Sequence, residues 1–185
     1  MSQAGQPETA KEILGLLAEL EQRSRETALG LPQTEVRRDL WQGLSFVLSG
    51  VRLVSSMSEI TEMLSYPDQI TRVPGASPWM LGVANVRGNL LPVLDLQAYL
   101  GGKPVVPGKS TRVLVINQRG VLTGVMVTSV LGMRHFDEQQ RVTNARVEGA
   151  IGAYVYDAFN VNGEIWPVFS MLALSVDPGF RSAAA

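Results

Sequence analysis

Hydrophobic and polar positions change texture part-way along this chain. From about residue 44 onward apolar residues come in short β-rich runs separated by turn residues. Ten such runs qualify as strands: 44–48, 51–55, 60–64, 82–86, 90–94, 112–116, 121–127, 130–134, 153–159 and 164–169. Asn162-Gly163 is the strongest hairpin signal among them, because both central positions of a type I′ turn favour those residues. Only short helices fit between the strands. Asp95 can cap a turn at 96–100, and Ser170 can cap one at 171–174. Residues 101–110 carry two Pro and three Gly and read as a loop between two halves. Regular short strands without long helices point to barrels or sandwiches, not to a parallel α/β sheet.

The first segment has a different period. Thr9-Ala10-Lys11-Glu12 has capping-box spacing, and Ile13, Leu14, Leu17 and Leu20 then fall on one helical face. Glu12, Glu19, Arg23 and Glu26 line the other face, and Gly30-Leu31-Pro32 ends the pattern. An isolated helix of this length is marginal, so its stripe is expected to dock on the protein's own body or on a partner. The organisation expected is a helical extension over 1–36, a β domain over 40–176 and a tail over 177–185.

Within the β body the pattern repeats. Val86-Arg87-Gly88-Asn89-Leu90-Leu91-Pro92-Val93-Leu94 is echoed by Val161-Asn162-Gly163-Glu164-Ile165-Trp166-Pro167-Val168-Phe169. Upstream, Gly50-Val51-Arg52-Leu53-Val54 is echoed by Gly120-Val121-Leu122-Thr123-Gly124, at nearly the same offset. A turn glycine followed by an apolar run with a proline inside it reads as a hairpin arm at a sheet edge. Two such units in register suggest two related β subdomains; chance recurrence of strand, turn and strand is the alternative.

Composition narrows the function classes. The chain has 185 residues, 45% of them apolar and only 18% charged, against a usual charged share of about 25%. Twelve of the 33 charges lie before Leu40, so the β body is sparsely charged. Either a partner covers part of that surface or the core is well filled. A net charge of −1 and the lack of a basic cluster argue against nucleic-acid binding. Trp79, Trp166, Tyr154 and Tyr156 sit in apolar runs as core candidates, not on a basic face. With no Cys, disulfides and thiolate chemistry are excluded. No signal peptide and no apolar stretch of ~20 residues can be found, so the chain reads as cytoplasmic, without membrane insertion.

Catalytic constellations are missing as well. Gly108-Lys109-Ser110 resembles the end of a phosphate-binding loop, but position 103 is Lys where that loop needs Gly, and a strand follows. His135 is the sole histidine, and with Arg134 and Asp137 beside it a surface role is expected. Ser77 is followed by Pro78 and lacks the second Gly of a nucleophile elbow. No enzyme activity and no cofactor are expected.

What remains is the run from Gly82 to Leu96, a hairpin with a cation at its tip. Gly88 permits a positive φ beside Arg87, and the guanidinium offers five donors in a rigid fork. Arg87 can therefore meet carboxylates or carbonyls of a partner, or pair internally with Asp95 or Glu62. The residues alone leave both open.

These residues resemble the CheW-like adaptor domains of bacterial chemosensory systems. Gly82, Asn85-Val86-Arg87-Gly88 and Pro92-Val93-Leu94-Asp95-Leu96 meet the family pattern, and the likeness runs from about Leu44 to Leu174. It takes in the run from Glu59 to Met63, the Ile70-to-Pro74 turn and the pair of strands from Gly124 to Gly132. The resemblance implies two pseudo-symmetric five-stranded β-barrels with a shared hydrophobic core. It implies a non-catalytic adaptor that bridges the cytoplasmic tip of a methyl-accepting chemoreceptor to the regulatory domain of a CheA-type histidine kinase. By the same resemblance, Ile60, Glu62 and Arg87 are carried over as partner-binding residues, with Asn85 and Gly88 shaping the hairpin. The helix at 16–25 followed by Gly30-Leu31-Pro32 is similar to the leader of PilI-type adaptors, which serve the pilus system of twitching motility. A flagellar CheW is the rival within the class, and a small-ligand-binding barrel the rival outside it. Thr128 and Met171 stand where the family commonly has Asp, which bears on how the second barrel meets its partners. Without a long exposed apolar helix face in either half, the isolated protein is expected to be a monomer.

Overall fold

The computed structural model describes residues 40–118 and 121–184, together with Gly15 and Glu19. Those two residues are helical; the rest of the amphipathic helix expected within 1–36 lies outside the described residues. The chain divides into the units Met1–Arg38 and Asp39–Ala185, and the second carries the β fold.

Turn chemistry cuts this unit into hairpins. Strands β1 (Leu40–Leu48) and β2 (Val51–Ser56) meet at Ser49-Gly50, with φ of 51° and 78°. Strands β4 (Met80–Val86) and β5 (Asn89–Asp95) meet at Arg87-Gly88, with φ of 51° and 86°. Strands β10 (Val155–Val161) and β11 (Glu164–Phe169) meet at Asn162-Gly163, with φ of 54° and 86°. Positive φ at both turn residues matches the right-handed twist of the arms, so two residues close each hairpin. The remaining strands are β3 (Glu62–Ser65), β6 (Arg112–Gln118), β7 (Val121–Val127), β8 (Ser129–Asp137) and β9 (Arg141–Thr143).

They form a six-stranded sheet, β8-β1-β2-β11-β10-β9, and a five-stranded sheet, β3-β6-β7-β5-β4. The repeat read from the sequence is visible in the pairing. Val168 lies opposite Val54 where β11 runs parallel to β2, and Val93 lies opposite Gly124 where β5 runs parallel to β7. Val93 and Val168 hold the same place in one pair of echoed runs, and Val54 and Gly124 hold the same place in the other. Each sheet therefore joins the first hairpin of one repeat to the second hairpin of the other. The resemblance implies two five-stranded barrels; the sixth strand, β9, is three residues long and lacks a pattern of its own. Its counterpart in the other sheet is the isolated bridge Thr71↔Val83.

Both predicted helix caps form. Asp95 accepts from the Ala98 amide at 3.1 Å to start α1 (Leu96–Tyr99), and Ser170 accepts from the Ala173 amide at 2.9 Å to start α2 (Met171–Val176). The two caps are equivalent as well, each directly following the end of its echoed run at Leu94 or Phe169.

The core has three parts. Leu44, Phe46, Leu48 and Leu53 of one sheet pack with Leu94, Leu114, Ile116 and Val125 of the other, which makes the shared core. Ala84, Leu91, Val93, Val113, Val115 and Met126 fill the five-stranded sheet, while Val54, Phe136, Phe159, Trp166 and Val168 fill the six-stranded one. Tyr156 is 44% exposed and so lies outside the core expected for it. The C-terminal stretch is more than a tail. Helix α3 (Pro178–Ala184) inserts Phe180, fully buried, into the shared core. Asp177 precedes it and accepts from the hydroxyls of Tyr99 at 2.6 Å and Tyr154 at 3.0 Å. Those bonds, above all that from Tyr99, hold the Asp177 carboxyl below the usual range.

Candidate functional site: the seam at Arg87

Strands β3 and β4 are the two outermost strands of the five-stranded sheet. Yet Arg87, at the tip of the β4–β5 hairpin, places Nη2 2.6 Å from Oε1 of Glu62 on β3. The sheet thus curls until its opposite edges meet, and the ion pair spans the seam. Beside the pair lies a groove of about 570 Å³ between the edges, lined by Leu64, Asp68, Thr71, Val83, Asn85 and Arg87 among others. The other sheet closes differently, with Phe136 of β8 stacked on Phe159 of β10 at 4.6 Å.

The hairpin tip is rigid for local reasons. The Asn85 Oδ1 accepts from the Gly88 amide at 2.9 Å, and Asn160 does the same for Gly163 at 2.9 Å in the other repeat. Asn85 is thus a turn-maker whose side chain is occupied within the hairpin. Arg87 adopts positive φ itself, as Gly88 does, so the side chain leaves a strained position with a fixed direction. Its side chain is 75% exposed, while that of Glu62 is 32% exposed. The internal pairing left open by the sequence is therefore real, with Glu62 and not with Asp95. An ion pair this exposed contributes only about 0–1 kcal/mol to stability, so most of the guanidinium remains available for other work.

Comparison of the repeats isolates this pair. The positions equivalent to Arg87 and Glu62 in the second repeat are Asn162 and Gly132, so the turn recurs and the charges do not. Fold requirements explain what is shared, and they leave the cation and its carboxylate unexplained.

Ile60, carried over with them, is 8% exposed and belongs to the shared core. It follows the 3-10 turn Met57–Glu59, whose hydrogen bond from the Ile60 amide to the Met57 oxygen turns the side chain inward. For that reason β3 starts at Glu62 instead of Ile60, and Ile60 supports the site from within. Sequence reasoning missed Glu59. Its carboxylate accepts from the amides of Met171 at 2.6 Å and Leu172 at 3.3 Å, contacts so distant along the chain that no local pattern could reveal them. Met171 is itself fully buried, and the Thr128 amide donates to the Val47 oxygen at 3.2 Å.

Among the described residues no cluster of His, Asp or Glu is arranged to hold a metal ion, and no helix is long and apolar enough to cross a membrane. His135 is exposed on the edge strand β8. The site offers an oriented cation, a partner carboxylate and a shallow groove, which is equipment for binding.

Residues 42–178 match the model of the CheW-like domain family. This chain belongs to that family. The CheW-like chain is 36% identical over 170 residues to Protein PilI of Pseudomonas aeruginosa, with 91% of this chain and 94% of that protein covered. It is 30% identical over 111 residues to Chemotaxis protein CheW of Helicobacter pylori, with 60% of this chain and 66% of that protein covered. Its fold is similar to the crystal structure of the scaffolding protein TtCheW from Thermoanaerobacter tengcongensis. The TM-score there is 0.66 at 20% identity, over 76% of this chain and 95% of the other. The CheW-like assignment accounts for the paired sheets and the shared core.

Proposed function

We propose that this CheW-like chain is a non-catalytic adaptor that couples a transmembrane chemoreceptor to a CheA-type histidine kinase in the signalling system of type IV pili. It works in the cytoplasm and reaches the membrane through its partners. The observation that carries this reading is the extent of the PilI likeness. A match covering 91% of the chain runs well beyond residues 42–178 into the N-terminal segment. The likeness to the Helicobacter pylori CheW covers 60%, so the pilus branch is favoured over the flagellar one. The seam supports the same reading from chemistry, because Arg87 and Glu62 are displayed at a groove and absent from the equivalent turn.

In this role Arg87 and Glu62 touch a partner, Asn85 and Gly88 hold the hairpin in shape, and Ile60 sets the depth of β3 from inside. The test is reconstitution. Membranes bearing the pilus chemoreceptor and the purified kinase should give receptor-controlled autophosphorylation only when this protein is added. Kinase control that is equal with and without it would overturn the adaptor reading, as would ATP hydrolysis above background by the isolated chain.

A further inference from the structure

The passage of the chain between its two sheets is built differently in the two repeats. Between β7 and β8 it is one residue, Thr128, whose amide donates a hydrogen bond to the Val47 oxygen. Between β2 and β3 it takes residues 57–61, a 3-10 turn and two further residues. A joint outside the strand ladder leaves more freedom to the strand that follows. That strand, β3, is four residues long, lies at a sheet edge and carries Glu62.

Three contacts tie the joint down. Ile60 is buried in the shared core, and the Thr61 amide donates to the Val115 oxygen at 2.8 Å, which docks the end of the joint on β6. Glu59 supplies the third by accepting from Met171 and Leu172 at the start of α2. Its other oxygen lies 3.5 Å from the Ser170 hydroxyl. Charge-assisted bonds of this kind are about twice as strong as neutral ones. The equivalent helix α1 needs no such visitor. Asp95 is its own cap and has a carboxylate of its own, whereas the equivalent residue in the second repeat is Ser170.

We infer that Glu59 is a positioning residue for the Arg87–Glu62 site, acting by fastening the joint before β3 to the start of α2. The inference rests on the adaptor reading for its effect on partners, but its effect on β3 stands apart from that reading. Glu59 fixes where β3, and hence Glu62, lies against the hairpin tip. A helix cap alone would be the competing role.

Ser170→Asp separates the two roles, because it gives α2 the local carboxylate that α1 has in Asp95 and leaves the joint untied. Glu59→Ala should lower the melting temperature, speed amide exchange at residues 61–65 by about tenfold, and weaken capture of the receptor's cytoplasmic fragment or the kinase regulatory domain by about tenfold. Glu59→Ala combined with Ser170→Asp should recover the melting temperature, while exchange and capture stay impaired. Glu59→Gln, which keeps an acceptor oxygen, should show the same changes in milder form and serves if Glu59→Ala does not fold. Recovery of exchange and capture along with the melting temperature in the double variant would reduce Glu59 to a helix cap. Unchanged exchange at 61–65 in both single Glu59 variants would overturn the inference outright. A wild-type protein that captures neither partner would instead sink the adaptor reading, and the exchange measurement would still decide the role of Glu59.

Discussion

Arg87 and Glu62 stand on opposite edges of one five-stranded sheet and touch through an ion pair of 2.6 Å. The Arg87 side chain is mostly solvated, so its removal should change folding little. Arg87→Ala is expected to shift stability by less than about 1 kcal/mol and to weaken capture of receptor or kinase by about 2–4 kcal/mol. Thermal melting and titration of both partners on the one variant check this. A lowered melting temperature with unchanged affinity would reassign Arg87 to the scaffold.

Phe180 is expected to behave as a core residue despite its place near the C-terminus. It lies parallel to Trp79 at 6.5 Å and meets Tyr99 edge-on at 5.4 Å. Phe180→Ala should cost about 3–5 kcal/mol, read by denaturant unfolding. Loss of the 177–185 stretch should cost at least as much.

Asp177, Tyr99 and Tyr154 should give the fold a readable pH dependence. Tyr99 and Tyr154 hold the Asp177 carboxyl below its ordinary value of 3.8. The stabilisation is therefore complete above that value and is lost as the pH falls through the lowered one. Burial, and then the bond to Asp177, raises the Tyr99 hydroxyl above its usual value of 10.0. That contribution is present below the usual tyrosine value and fades as the pH climbs beyond it. The stability gap between wild type and Asp177→Asn, about 1 kcal/mol near neutrality, should close in acid. The gap to Tyr99→Phe should close in alkali.

The two caps should differ in weight. Asp95 is 1% exposed and accepts from Val105 at 2.7 Å as well as from Ala98. Asp95→Ala leaves two partly buried donors without their acceptor and should cost about 1–3 kcal/mol. Ser170→Ala removes one capping bond and should cost about 1 kcal/mol. Chemical denaturation of the two variants side by side checks the order.

Removal of residues 1–36 should leave the two sheets folded, since the buried residues of the three described core clusters run from Leu44 onward. Circular dichroism of the truncated protein checks this. The shortened chain is expected to lose pilus-system signalling while keeping its β signature.

The strands, hairpins and caps were legible because each is written in a few adjacent residues: Asn162-Gly163 for a turn, Asp95 and Ser170 for caps. The repeat was legible too, since its offsets survive in the sequence. The pairing of β2 with β11 and of β5 with β7 was not, because nothing local tells a hairpin which distant hairpin it will meet. Strand β9 is too short to establish a period. Ile60 is not legible as core, because the turn before it, not its own residue type, aims it inward. Phe180 follows Pro178-Gly179, which reads as the end of structure; its burial depends on a cavity that only the assembled sheets create. The Arg87 motif is plain, but its partner can be narrowed only to Asp95 or Glu62 until the curl of the sheet chooses between them.

The exchange of hairpins between sheets makes each half depend on the other. A single half, cut at the loop of residues 101–110, would own two hairpins and no parallel neighbour for either. Only a second copy could supply Val54 its Val168, or Val93 its Gly124. Such a half would need a second copy to complete either sheet, and the present chain holds both partners in one polypeptide. With both halves in one chain the two turns need not be identical, and they carry Arg87 in one and Asn162 in the other.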